Sequence, residues 1–209
     1  LKPVAEVVRR AGGVLICDEV QSGFGRTGTH FWAYQKMDAL PDIVTMGKPM
    51  ANGHPVGAVV TRPEIMAIFR NSFSYFNTFG GNPVSCAAAM AVLDEMDAAD
   101  LMTSAATVGA YARTQMEGLA QKHTAIGNVR GMGLVFGAEM VLDHAAKTPA
   151  TAFTDRVINA MRERGILLSK LGRHRNTLKI RPPMPFSMAN VDHLISTLDE
   201  VLAQTPLEP

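Results

Sequence analysis

Two charged positions that each close an apolar run are the groups in this sequence best placed to do chemistry. Lys48 ends Ile43-Val44-Thr45-Met46-Gly47-Lys48, and the pair Asp18-Glu19 ends Val14-Leu15-Ile16-Cys17. Runs of this kind read as buried parallel strands, and the carboxyl ends of such strands are where α/β sheets bind ligands. A lysine buried there loses its preference for the charged form through desolvation, and a neutral amine is a nucleophile toward an aldehyde. An aspartate buried beside a pyridine nitrogen keeps that nitrogen protonated, and a protonated pyridine is a sink for electrons. Taken singly, either residue reads as an ordinary charge after a strand. Together they point to an amine that does covalent chemistry beside an acid that holds a cofactor.

The elements that must position them follow from pattern and punctuation. A helix is expected over Leu1–Ala11, stopped by Gly12-Gly13, followed by a strand at Val14–Cys17 and a loop, Gln21–Thr29. Phe31–Leu40 reads as one or two helical turns, and strand Ile43–Met46 leads into Gly47-Lys48. Asn52-Gly53-His54-Pro55 marks a turn before a strand at Gly57–Thr61. Pro63 and Pro83 are suited to open helices, Pro63–Arg70 and Pro83 to about Met96, across a polar, aromatic loop at Asn71–Asn82. After Asp100 the pattern predicts a long helix (Leu101–His123), strands at Asn128–Gly131 and Leu134–Val141, and a linker at Asp143–Pro149. A helix (Thr151–Arg164), strands at Ile166–Ser169 and Leu178–Ile180, and a last helix capped by Ser187 complete it. Strands alternating with helices in the first half make the fold class α/β, with a small α+β unit behind it and a boundary near residue 100.

Two glycine-bearing motifs bear on ligand binding. Gly23-Phe24-Gly25-Arg26-Thr27-Gly28 fits G-x-G-x-x-G, but a dinucleotide fingerprint needs its glycines directly after the strand and a helix starting on them. Here Asp18–Ser22 intervene, so the run is read as a glycine-rich turn with another purpose. Asn77-Thr78-Phe79-Gly80-Gly81-Asn82-Pro83 offers hydroxyl, amide and glycine backbone at a helix start, which suits either a phosphate or a plain helix cap. An amine, a pyridine-holding acid and a phosphate cradle together describe pyridoxal phosphate.

The bulk composition narrows the alternatives. With 47% hydrophobic and 19% charged residues in 209, the chain is globular rather than disordered. A net charge of +1, with basic residues in dispersed pairs, gives no reason to expect nucleic acid or an anionic membrane as a partner. No apolar stretch approaches the roughly 20 residues needed to span a bilayer. Cys17 and Cys86, the only cysteines, are expected as buried free thiols, which suits a reducing, cytoplasmic setting. The first residues are no signal peptide, and without an initiator Met the chain reads as a fragment.

Asp18–Gly28, Pro41–Lys48 and Asn77–Pro83 are similar, in order and spacing, to the signature of class III aminotransferases. The likeness extends through Arg130-Gly131-Met132-Gly133-Leu134 to Pro182-Pro183-Met184. The resemblance implies fold type I, with residues 1–100 the later part of the large cofactor-binding domain and 101–209 the small C-terminal domain. It implies that Lys48 carries the cofactor as an aldimine and shuttles a proton, and that Asp18 pairs with the pyridinium. Val20 would pack on the ring and Gln21 would hydrogen-bond near its oxygen. Thr78 would bind the cofactor phosphate of a neighbouring subunit, making a homodimer part of catalysis on a small-molecule amine.

Family members are about twice as long, the other half preceding Leu1. Where many carry an arginine that grips a substrate carboxylate, this sequence has Lys179, in Leu178-Lys179-Ile180-Arg181-Pro182-Pro183. A fork replaced by a point charge is not a conservative change. That stretch, with Met46–Val56, Lys147–Ala152 and His174-Arg175-Asn176, resembles a phospho-lyase branch that eliminates ammonia and phosphate from phosphorylated amino alcohols. A transaminase is the alternative. His54, His174 and Arg175 are further groups that a substrate phosphate would suit.

Overall fold

The computed structural model describes residues 2–208, so Leu1, the first residue of the expected helix, lies outside them. The chain divides into two compact units, Leu1–Met102 and Thr103–Pro209.

The first unit opens with helix α1 (Lys2–Arg10). Gly12 takes φ +78° after it, while the amides of Gly12 and Gly13 return to the carbonyls of Arg9 and Val8 at 2.9 Å each. This is a Schellman stop, which needs a residue that tolerates the left-handed region. Three strands follow, β1 (Ile16–Asp18), β2 (Ile43–Met46) and β3 (Ala58–Thr61), in the spatial order β1-β2-β3. β1 and β2 are parallel with Ile16 opposite Ile43 and Asp18 opposite Thr45, and β3 returns antiparallel to β2. Helices α2 (Pro63–Ser72) and α3 (Pro83–Ala98) each begin on a proline, whose missing N–H costs nothing there.

The residue that ties these pieces together is Asp42, whose side chain is only 6% exposed. Its Oδ2 accepts the Leu15 N–H at 2.7 Å and faces Arg9, its Oδ1 faces Arg62 at 3.1 Å, and its backbone N–H reaches Leu15 O at 2.8 Å. The Thr61 hydroxyl donates to Asp42 O at 2.9 Å. One carboxylate thus joins α1, the entry to β1, the entry to β2 and the exit from β3. The same bonds explain why the first strand begins at Ile16 rather than Val14: the Leu15 N–H goes to a side chain and never enters a ladder.

The second unit has a core of its own. Helix α4 (Leu101–Lys122) precedes the hairpin β4 (Ile126–Met132) and β5 (Val135–Met140). Helix α5 (Thr151–Glu163), strands β6 (Ser169–Leu171) and β7 (Thr177–Ile180), and helix α6 (Met188–Gln204) follow. The sheet runs β4-β5-β7-β6, antiparallel throughout. Period-two alternation buries Phe136, Ala138 and Met140 of β5 with Leu178 and Ile180 of β7. Against them pack helical stripes at three- and four-residue spacing: Ala105, Val108, Ala112, Met116 and Leu119 from α4, Phe153, Val157 and Met161 from α5, and Val191, Leu194, Leu198 and Val201 from α6. Ser187 caps α6, accepting from the Asn190 N–H at 3.2 Å.

Two expectations need correcting. The strand predicted at Ile166–Ser169 forms at Ser169–Leu171, because the Ile166 and Gly165 amides close a Schellman stop on Met161 and Arg162 of α5. Cys86 is exposed rather than buried, since Ser85 is the one buried residue of α3; Cys17 is buried, and both thiols are free.

Gly109 of α4 approaches the hairpin turn so closely that an added Cβ would lie 2.3 Å from the Gly133 carbonyl oxygen. Gly109→Ala should therefore destabilise the second unit by about 1–3 kcal/mol, read from its urea midpoint. Asp42→Ala should cost the first unit about as much by orphaning a buried N–H. Acceptance of the Leu15 N–H, then the nearby guanidinium groups of Arg9 and Arg62, hold the Asp42 carboxyl below the usual carboxylate range. A depressed folded value contributes stability that is complete above the unfolded value near 4 and is lost as pH falls through the folded one. Acid titration of unfolding should show that loss in the parent and not in Asp42→Asn.

Candidate functional site

Because β1 and β2 are parallel, their carboxyl ends share one edge, and Asp18 and Lys48 both emerge there. Asp18 is the last residue of β1 and lies opposite Thr45. Lys48 follows three residues beyond Thr45, in a turn closed by Met50 N–H to Gly47 O at 2.7 Å. A second turn, His54 N–H to Ala51 O at 3.0 Å, comes directly after it, with Asn52 at φ 44° and Gly53 at φ 117°.

The Asp18 carboxylate is held by one oxygen. Oδ1 accepts the Val20 N–H at 3.0 Å and the Thr45 hydroxyl at 3.3 Å, while Oδ2 has no hydrogen bond among the described residues. Val20 is half-buried and flanks the lysine turn: a Cβ built on Gly47 would sit 3.9 Å from each Val20 methyl. Gln21 and Thr78 are both exposed, Thr78 in the loop ahead of α3. In that loop Asn77 Oδ1 accepts the Phe79 and Gly80 amides at 3.2 and 3.0 Å. Asn82 caps α3 by accepting the Ser85 N–H at 3.0 Å.

The burial expected of Asp18 and Lys48 is not found: both are exposed. Asp18 shares a face of β1 with Ile16, which is 55% exposed, and Lys48 lies in the turn beyond the end of β2. Desolvation of the lysine therefore does not arise from this unit itself.

Sequence reasoning set Glu19 aside as the neighbour of Asp18, yet it is the buried member of the pair, at 2% exposure. Its carboxylate accepts the Ala33 N–H at 3.1 Å, the Tyr34 N–H at 2.8 Å and the Ser22 hydroxyl at 2.7 Å. Its backbone N–H donates to Thr45 O at 2.9 Å. Glu19 thus fixes the turn that carries Val20 and Gln21 to the single-turn helix Ala33–Met37. The glycine run has its purpose here too. A Cβ at Gly23 would lie 2.8 Å from the Trp32 ring, and Phe24, at φ 60°, packs on Phe31 and Trp32 with centroids 5.1 and 5.4 Å away. The glycines admit an aromatic cluster, and no helix starts on them.

The donor set suits pyridoxal phosphate: an exposed amine without an ion pair among the described residues, a carboxylate with one open oxygen, and an apolar side chain beside the lysine turn. Among those residues no cluster of three or more His, Cys, Asp or Glu could hold a metal ion, and no helix is long and apolar enough to cross a membrane.

An amine and an acid at the shared end of two parallel strands, followed by a small α+β unit, are what a pyridoxal-phosphate fold of type I would present. Comparison with known proteins specifies it further. The family model for class-III aminotransferases matches residues 1–202, and the chain belongs to that family. It is 46% identical over 199 residues to alanine–glyoxylate aminotransferase 2 homolog 2, mitochondrial, of Arabidopsis thaliana, covering 95% of this chain and 41% of that protein. It is 45% identical to ethanolamine-phosphate phospho-lyase homolog 1 of Caenorhabditis elegans, covering 96% and 44%. Among solved structures, a phospholyase from Arthrobacter in complex with phosphoethanolamine superposes with TM-score 0.93 at 50% identity, covering 98% of this chain and 49% of that one. An aminotransferase from Bacillus anthracis does so with TM-score 0.90 at 32% identity, covering 97% and 47%. The chain thus spans less than half the length of these relatives.

Glu19→Ala should free three donors and lower the stability of the first unit by about 2 kcal/mol or more. Trp32 is the only tryptophan, so its emission should shift to the red in the folded variant and report the loosened turn directly.

Proposed function

We propose that this chain carries part of the active site of an enzyme that acts on a primary amine with pyridoxal phosphate, and that its reaction is a phospho-lyase elimination. The observation that carries the cofactor reading is the β1–β2 register, which delivers Asp18, with an open oxygen, and the Lys48 amine to one sheet edge. When bound, the cofactor supplies an electron sink for charge developing on the substrate carbon. Lys48 is the group to hold the cofactor covalently and to carry the proton to and from that carbon. Asp18 Oδ2 keeps a proton on the ring nitrogen, Val20 packs against the ring face, and Gln21 hydrogen-bonds beside its oxygen. Thr78 is assigned to the cofactor phosphate of a neighbouring subunit, which makes the working unit a homodimer.

Two observations favour elimination. Phospho-lyases stand among the relatives at 45 and 50% identity, one of them bound to phosphoethanolamine. Lys179, half-buried on β7 with Gly137 and Ser169 as its cross-strand partners, offers a point charge where a carboxylate-gripping arginine is expected. A phosphate leaving from the carbon next to the reacting one takes the electron pair; water then releases ammonia and an aldehyde. Transamination remains the second reading, because proteins named as aminotransferases stand at 46 and 45% identity. The two units are assigned to the large cofactor domain and the small C-terminal domain. Two unpaired thiols support a reducing compartment such as the cytoplasm, although two relatives are named as mitochondrial.

The intact protein given phosphoethanolamine should release phosphate and ammonia in equal amounts with no keto acid present. Turnover that requires pyruvate or oxoglutarate would establish the transaminase instead. Lys48→Ala should lower either rate by about 10²–10⁴-fold, the scale of a lost proton-transfer group.

A further inference from the structure

The two motifs assigned to the cofactor, the Lys48 turn and the Thr78 loop, are thirty residues apart in sequence but are joined by side chains outside both assignments. His54 closes the second of the two turns that follow β2, and its Nε2 lies 2.8 Å from the Ser85 hydroxyl. Ser85, 8% exposed, sits in the first turn of α3. The same hydroxyl accepts from Asn82 Nδ2 at 2.8 Å, and Asn82 Nδ2 also donates to Phe79 O at 2.8 Å. Asn77 in turn accepts the Phe79 and Gly80 amides, on the far side of the Thr78 peptide. A continuous chain of hydrogen bonds therefore runs His54–Ser85–Asn82–Phe79–Asn77, from one functional loop to the other.

The bond forms with either tautomer: Ser85 Oγ accepts from Asn82 with one lone pair, and either donates its proton to an unprotonated His54 Nε2 or accepts from a protonated one with the other. His54 is exposed, but its Nε2 is engaged on Ser85. We propose that His54 is a positioning residue: it anchors the Lys48 turn to the start of α3 and so fixes the lysine relative to the Thr78 loop. This rests on the reading of Lys48 as the reactive amine. The turn itself needs such an anchor. Asn52 and Gly53 both take positive φ, and its own closure consists of single backbone bonds at Met50 and His54.

Amide hydrogen exchange in the intact protein tests the anchor without any cofactor. His54→Ala should speed exchange about fivefold, the worth of one hydrogen bond, at Met50 and His54 and also at Phe79, Gly80 and Ser85. His54→Gln, which can place an amide near the Nε2 position, should restore both segments. The double variant H54A/S85A should move Met50 and His54 no further than S85A alone. Unchanged exchange at Phe79, Gly80 and Ser85 in H54A, additive effects in the double variant, or no rescue by Gln would each overturn the proposal. Borohydride trapping of pyridoxal phosphate on Lys48 supplies the second arm: its rate should fall several-fold in H54A and recover in H54Q, and an unchanged rate overturns the positioning role. If the parent itself traps nothing, the reading of Lys48 fails and the role falls with it, while the exchange data still report whether the anchor exists.

Discussion

The arrangement depends on one carboxylate that takes no part in the chemistry. Asp42 sits where β2 begins, accepts the amide just before β1 and faces guanidinium groups from α1 and from the residue after β3. These bonds set the start of the parallel pair, and the pairing then determines that Asp18 meets Thr45. Sliding β1 by one residue would turn Asp18 to the opposite face of the sheet. The position of the chemistry is therefore set at the amino ends of the strands and read out at their carboxyl ends. Glu19 completes the task from the other side by fixing the turn that leaves β1. Two buried acids hold one exposed acid in place.

Much of this could be read from the residues because the signals were local. Strand Ile43–Met46 and the helix starts at Pro63, Pro83 and Ser187 depend on residue types whose backbone preferences act within a turn or two. The readings that failed turned on hydrogen bonds that residue type alone does not announce. The first strand starts late because Asp42, twenty-seven positions on, takes the Leu15 amide. The strand after α5 starts late because Ile166 completes a helix stop. Of the acidic pair, nothing local said that the glutamate would be the buried one. His54 is the same kind of case: its type and turn were visible, but its bond to Ser85 belongs to the tertiary fold.

Burial was misjudged for a single physical reason. Apolar runs predict that something covers them, not what does. In the second unit the covering elements are all present, and α4, α5 and α6 close over one face of a four-stranded sheet. In the first unit β3 exposes Val59 and Val60 on both faces, and Phe73, Tyr75, Phe76 and Phe79 stand out along the Thr78 loop. Exposed apolar surface on this scale marks an interaction surface. The chain spans less than half of its relatives' length, so the sequence was right about which residues are apolar and silent about what lies against them.

This uneven coverage divides the chemistry in a definite way. The groups proposed to hold the cofactor, Asp18 and Lys48, have their placement fixed by backbone pairing and by two buried acids within the first unit. Their solvation is another matter. An aspartate keeps a ring nitrogen protonated, and a lysine becomes a nucleophile, only to the extent that water is excluded around them. Geometry is thus encoded in these residues, while dielectric is not. The choice between losing phosphate and accepting a keto acid adds a third layer. Under the proposed reading it turns on which anion the site prefers, and Lys179 would bear on that through charge shape rather than charge sign. A lysine favours a compact, multiply charged group that it can meet from any direction, whereas a planar fork favours a carboxylate. Placement, polarity and selectivity are therefore written in different parts of the chain, and only the first is complete within one unit of it.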